Sequence, residues 1–274
     1  MADLNIKKGH NIRISGVPLN EVQKGTKPKT VAIQPIDFRT LRPKVVVKEG
    51  DSVKIGSPLL HCKMHTNVFW PSPGAGTVSS IQFGPRRAIE KIIIELSETE
   101  ESECNDSYPS SEIPTLGKEQ ILSSLLKGNM IPFIRQRPFN RVINPSDTPR
   151  DIFISGWNTA PLSVNLDVAL RRRLPQFQAG INILKQLTSG AVHLSINENT
   201  VSDTLLEING AEIHTINGPH PAGNVGIQIH HIAPLKLNDL VWTVNAQDVA
   251  RIGSFFLTGR YDPTLFVTLC GPGV

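Results

Sequence analysis

Two periodicities divide the chain. Up to residue 96 the apolar positions fall in short β-branched runs: Thr30–Gln34 (TVAIQ), Lys44–Lys48 (KVVVK), Val68–Trp70, Thr77–Phe83 and Lys91–Leu96. Gly, Pro and Asp turns separate them, the pattern of a small all-β barrel or sandwich. Further on the spacing lengthens. Gln120, Ile121, Leu122, Leu125 and Leu126 form a helical stripe that Gly128 is placed to end. Asp151–Ser155 (DIFIS) reads as a buried strand. Pro175 opens a helix with Phe177, Ile181 and Leu184 four and then three residues apart, closed by Gly190. Strands are predicted at Ala191–Ile196, Glu212–Ile216 and Leu240–Val244. Helices are predicted through Val225, Ile229 and Ile232, and from near Asn245 through Val249, Ile252 and Phe256. Strands alternating with helices imply an open, largely parallel α/β sheet.

The stretch 97–112 (SETEESECNDSYPSSE) separates the two patterns. It carries six acids and no bases, has few core-forming residues and repels itself, as a linker does. The expected division is a β-rich region over 1–100, an acidic linker over 101–114 and a Rossmann-like α/β domain over 115–258. The 274 residues suffice for two ordinary domains. With 21 Gly and 21 Pro spread without a repeat, the composition is turn-rich rather than collagen-like.

Charge and cysteines narrow the chemistry. The net charge of +4 becomes +10 once the acidic stretch is set aside, with basic clusters at Arg86–Arg87, at Arg135, Arg137 and Arg141, and at Arg171–Arg172–Arg173. Only 15 residues are aromatic and no nucleic-acid motif is present, so nucleic acid is not the expected partner. Cys62, Cys104 and Cys270 form no CxxC or similar spacing, so neither a zinc ribbon nor an iron–sulfur cluster is read here. The polar N-terminus lacks a signal-peptide core, and no window approaches the ~18 apolar residues of a membrane span.

Three motifs carry candidate chemistry. From Arg42 to Leu96 two half-patterns resemble a biotinyl/lipoyl-type barrel-sandwich module: V-K-E-G-D-S-V-K-I-G at Val47–Gly56 and P-G-A-G-T-V-S-S-I at Pro73–Ile81. Lys63–Met64 matches half of the context of a modified lysine. Carrier domains place that lysine eight residues before the proline of P-x-x-G, however, and Lys63 stands ten before Pro73. The first strand–helix turn of the α/β region, Ser155–Pro161, has one glycine, a bulky Trp157 and Pro161, unlike the G-x-G-x-x-G that lets backbone approach a pyrophosphate. No Walker motif is present, so tight NAD or FMN binding is not expected. The third motif is Gly218–Pro219–His220–Pro221–Ala222–Gly223. It is either an anion-binding or His220-presenting loop at a helix start, or a connector made rigid by two prolines. His214, His220, His230 and His231 match no metal-ligand spacing, and no metal site is expected.

The order of motifs resembles the NqrA family, the first of the six components of bacterial Na⁺-translocating NADH:quinone reductases. The resemblance rests on I-K-K-G at Ile6–Gly9, R-P-K-V-V-V-K-E-G-D at Arg42–Asp51, P-G-A-G-T-V at Pro73–Val78 and T-P-R at Thr148–Arg150. It continues in T-S-G-A-V-H at Thr188–His193, G-P-H-P-A-G at Gly218–Gly223 and V-W-T-V-N-A-Q-D at Val241–Asp248. The family implies a peripheral subunit on the cytoplasmic face of the inner membrane, without flavin or iron–sulfur cluster of its own. NADH, flavins, iron centres and Na⁺ would be handled by partner subunits, above all the membrane subunits, and ubiquinone would be the substrate of the complex. The isolated chain is expected to have no activity. A quinone head group needs apolar walls and hydrogen-bond donors, which makes Phe38, Arg39, Arg42 and His220 the candidates by residue type. Family members continue into a β-grasp-type domain, so residues 259–274 are expected to begin one. The alternative is a biotinyl/lipoyl carrier module fused to a nucleotide-dependent α/β enzyme.

Overall fold

The computed structural model describes residues 2–38 and 40–273. They form two compact units, neither continuous in sequence. One takes the described residues within Met1–Gln23, Thr148–Gly253 and Thr264–Val274; the other takes those within Lys24–Asp147 and Ser254–Pro263.

The α/β unit is a parallel sheet with helices. Its strands are β1 (Asp3–Asn5), β11 (Ile152–Ser155), β12 (Val192–Ile196), β13 (Glu212–Asn217) and β14 (Val241–Asn245), in the spatial order β1-β13-β12-β11-β14. Every neighbouring pair within this set is parallel. Leaving the edge strand aside, the first strand is flanked by the second and the fourth. That is the Rossmann half-order, with its topological switch point between β11 and β14. The helices are α2 (Leu166–Ala169), α3 (Leu174–Leu187), α4 (Asp203–Leu206), α5 (Val225–Ile232) and the part of α6 (Ala246–Thr258) up to Gly253. In α3, Phe177, Ile181 and Leu184 are all buried, as their spacing predicts. A Cβ on Gly180 would overlap the carbonyl oxygen of Val249, and one on Gly253 would overlap that of Gln176. Glycine therefore lets the backbones of α3 and α6 meet.

One element is placed differently from its sequence. Asp3–Asn5 lies within the region expected to be β-rich, yet it pairs with Thr215–Asn217 as the edge of the parallel sheet. Backbone bonds alone fix a three-residue edge strand, so no hydrophobic alternation announces it.

The second unit holds the barrel-sandwich strands. β2 (Thr30–Ile33), β8 (Ile89–Leu96), β7 (Gly76–Phe83) and β4 (Ser52–Val53) form one antiparallel sheet; β3 (Pro43–Val45), β5 (Pro58–Cys62) and β6 (His65–Pro71) form the other. Leu59, Leu60, Val68, Trp70, Val78, Ile92 and Ile94 fill its interior. A short hairpin, β9 (Ile134–Arg137) with β10 (Arg141–Val142), and helix α1 (Lys118–Lys127) complete it. Ile121 and Leu125 form the buried stripe of α1. The residue in left-handed conformation after α1 is Asn129, at φ 57°. Gly128 is needed for space, because a Cβ there would strike the ring of buried Phe255.

The acidic stretch is fastened rather than loose. Ile55 donates to the Glu101 carbonyl and Glu103 donates back to Ile55, both at 2.8 Å, while Ser57 Oγ donates to Glu103 Oε1 at 2.6 Å. Tyr108 donates to the Phe256 carbonyl at 2.8 Å. The Glu100 and Glu101 carboxylates pair with Lys27 and Lys54 at the surface while the backbone pairs inward, so like charge did not prevent docking. Residues 259–273 contain no helix or strand.

Candidate functional site

Three places in the described residues gather chemistry. The first is a cavity of about 640 Å³ in the β-rich unit, lined by Leu41, Cys62, Met64, Val68, Trp70, Phe139 and Val142, with Arg42, His65 and Arg141 among its polar groups. Trp70 is almost fully buried and its indole N–H has no hydrogen-bond partner. A buried donor without a partner costs roughly 1–3 kcal/mol. Phe38 is not on the wall. It packs edge-on against Trp70, with ring centroids 5.4 Å apart, and carries the Arg135 guanidinium 5.1 Å above its own ring. The hairpin turn beside the cavity is Lys63–Met64, since β5 and β6 close on the pair Cys62 and His65.

The second place is the C-terminal end of the parallel sheet, where folds of this order bind ligands. Here the chain occupies its own crevice. Gln247, just after β14, donates from Nε2 to the Phe266 carbonyl (3.1 Å) and accepts from the Phe266 N–H (2.9 Å). Thr268 Oγ1 donates to the Leu162 carbonyl in the loop after β11, at 2.7 Å. Residues 266–268 thus reach from one side of the switch point to the other. The G-P-H-P-A-G loop lies at the same end, with its backbone bonded to the chain around it. His10 donates to the His220 carbonyl (2.8 Å), the His220 N–H donates to Asn11 Oδ1 (2.8 Å) and Gly223 donates to Thr159 Oγ1 (3.0 Å). Gly218, at φ 133°, has no room for a Cβ beside the Ile6 carbonyl. The start of α5 is capped by the Asn224 side chain, which accepts from Gly226. A polar pocket of about 280 Å³ remains between Trp157, Asn158, Asn165, Asp167, Asn197 and Asn199. Its amides already bond their own turns: Asn158 to Ala160, Asn165 to Asp167 and Asn197 to Asn199.

The third place is the opposite end of the same sheet. Register pairs His193 with Glu212 and Ser195 with His214, so His193, Glu212 and His214 share one face. Both imidazoles are buried and Glu212 is exposed. His193 Nδ1 lies 3.0 Å from His214 Nε2 and 3.5 Å from Glu212 Oε2; His214 Nε2 lies 3.9 Å from that oxygen. The Ala2 N–H donates to His214 Nδ1 at 3.0 Å, which places the proton of neutral His214 on Nε2, pointing to His193. Asp151, held by Arg150 Nε and the Ala191 N–H, has Oδ1 3.9 Å from His193 Nε2. Burial, followed by the neighbouring His193, pushes His214 down to about 4, and burial lowers His193 too.

The residues singled out from sequence are therefore dispersed. Arg42 lines the cavity, Phe38 backs it through Trp70, and Arg39 lies outside the described residues. His220 belongs to the other unit, its Nδ1 3.1 Å from Thr159 Oγ1. The sequence missed Trp70 and the His193–Glu212–His214 face. Glu-x-His on one strand is a visible period-two signal, but its partner strand is not.

A barrel-sandwich module together with a Rossmann-ordered sheet whose C-terminal crevice is crossed by residues 266–268 defines a class: lipoyl-like and nucleotide-like scaffolds carried on one chain. Residues 4–97 match the NqrA N-terminal barrel-sandwich hybrid domain, and residues 116–261 match the NqrA second alpha/beta domain. The chain belongs to the NqrA family. It is 34% identical over 276 residues to the NqrA component of the Na(+)-translocating NADH-quinone reductase of Serratia proteamaculans (strain 568), covering 99% of this chain and 60% of that protein. The proteins of the same name from Alcanivorax borkumensis and Pseudomonas aeruginosa (PAO1) are 32% and 34% identical over 271 residues. Those alignments cover 98% and 99% of this chain and 60% of each relative. The chain thus spans about three-fifths of the length of these relatives. Among the described residues no helix is long and apolar enough to cross a membrane.

Proposed function

We propose that this chain acts as the NqrA component of a Na⁺-translocating NADH:quinone reductase, peripheral on the cytoplasmic face, where it receives a quinone head group and helps to order the membrane subunits. Redox centres, NADH and Na⁺ belong to partner subunits in this reading. The family supports the complex, and the cavity of the β-rich unit supports the quinone. Apolar walls of Val68, Met64, Phe139 and Trp70 suit a quinone ring, and Arg42 and Arg141 supply donors for its carbonyls.

Titration with a short-chain ubiquinone, followed by tryptophan fluorescence, tests the site. Arg42→Gln and Phe139→Ala are expected to weaken binding at least tenfold, Phe38→Ala by less, and His220→Gln not at all. Equal affinity in the first two overturns the cavity assignment. The filled crevice supports a chain that holds no nucleotide of its own, so NADH and FMN titrations should give no saturable signal below about 1 mM. Isolation from native membranes with the membrane subunits attached is expected; recovery as a lone protein under the same conditions counts against the complex.

One observation favours the carrier alternative: Lys63 stands at a hairpin tip. An intact mass with a lipoyl or biotinyl adduct on Lys63 would establish it, and an unmodified mass retires it.

A further inference from the structure

We propose that His193, Glu212 and His214 form a binding site for a divalent transition-metal ion of the zinc class, independent of the quinone reading. Three points separated by 3.0, 3.5 and 3.9 Å lie on a circle of radius about 2.0 Å. Zinc bonds to imidazole nitrogen and carboxylate oxygen are about 2.0–2.2 Å, so an ion near the centre of that circle lies at bonding distance from all three atoms. The donor set, two imidazoles and one carboxylate, is the borderline N/O chemistry that such ions take, and hard Mg²⁺ or Ca²⁺ would want more oxygens. Both imidazoles are buried, His193 stacked on Phe153 and His214 beside His193, which fixes them, while Glu212 is exposed and leaves a route in and an open coordination position.

The surroundings fit the same role. Metal-bound histidines commonly aim their other nitrogen at a carboxylate, and His193 has Asp151 on that side, itself held by Arg150 and the Ala191 N–H. In the metal-free chain the proton on His214 Nε2 occupies the place of the ion. Loading displaces that proton to Nδ1 and costs both the bond from the Ala2 N–H and the bond to His193 Nδ1, and the positive Arg150 near His193 opposes a cation as well. His193 already presents an unprotonated Nδ1.

The test uses tag-free, chelator-stripped protein of the full sequence, with Co²⁺ as spectroscopic probe and Zn²⁺ as competitor. The expected result is one equivalent of Co²⁺ with ligand-field bands of a low-coordinate ion, no thiolate charge-transfer band, and displacement by Zn²⁺. Glu212→Gln and His214→Gln should each weaken binding at least tenfold. Glu212 is exposed, so its variant keeps the fold and a decisive result even if the histidine variant does not. Absence of binding, a thiolate band implicating Cys62, Cys104 or Cys270, or unchanged affinity in Glu212→Gln overturns the site.

Discussion

The two ends of the parallel sheet are built from the same strands and have opposite fates. At the C-terminal end, where a Rossmann-ordered sheet ordinarily receives its ligand, Gln247 and the Leu162 carbonyl are taken by residues 266–268, and Thr159 and Asn11 by the His220 loop. At the N-terminal end, two imidazoles and a carboxylate converge with only one mutual proton and the Ala2 amide among them. The lesson is that topology sets where a crevice forms, while side-chain chemistry decides whether anything can enter it. Polar groups already bonded to their own chain offer a ligand little, since each bond made to it replaces one already present.

Three perturbations probe this contrast. The largest should be Gly253→Val, which forces a side chain into the backbone of α3 at Gln176. Overpacking of this kind costs about 3 kcal/mol or more, so the α/β unit should lose its cooperative thermal transition and both ends should fail together. Retention of the parental melting temperature would mean that α3 and α6 are not held as tightly as the glycines imply.

The second concerns the N-terminal end alone. The folded chain holds the buried His214 neutral down to about pH 4, whereas the unfolded chain protonates near 6.5. Stability is therefore full above about pH 6.5 and declines as pH falls toward 4, by at most about 1.4 kcal/mol per pH unit for this group. His193, lowered by burial, acts in the same direction. Urea midpoints at pH 7.5 and 5.0, with chelator present, should fall together with pH in the parent. His214→Gln should show a smaller fall. An identical fall in the variant would place the acid sensitivity elsewhere.

The smallest effect is expected at the C-terminal end. Gln247→Ala removes two hydrogen bonds to half-buried Phe266, whose freed groups can bond water, a loss of about 1 kcal/mol, and should expose residues 264–273 to proteolysis. Unchanged cleavage there would show that Thr268 and the rest of the segment suffice to hold it.

Much of the architecture was legible. The predicted strands at 191–196, 212–216 and 240–244 and the helices through Phe177 and Ile121 all form, because buried strands and amphipathic helices leave their period in the local sequence. The site chemistry was less so. His193 and Glu212 are cross-strand partners with 18 residues between them, and no spacing rule links them. Trp70 reads as an ordinary core residue until its indole is found without a partner. His220 has its ring Nδ1 3.1 Å from Thr159 Oγ1, while Asn11 holds its backbone N–H.

What the sequence determined by itself is therefore the identity of the elements and the family, because hydrophobic period, turn residues and motif order are local properties. What only the tertiary structure decided is which distant groups meet. It sent Asp3–Asn5 to the edge of the parallel sheet, fastened the acidic stretch to Ile55, drew Phe266 across the switch point and set His193 beside His214. Those outcomes depend on strand register and on backbone hydrogen bonds made across long separations, and neither leaves a mark on the residues nearby.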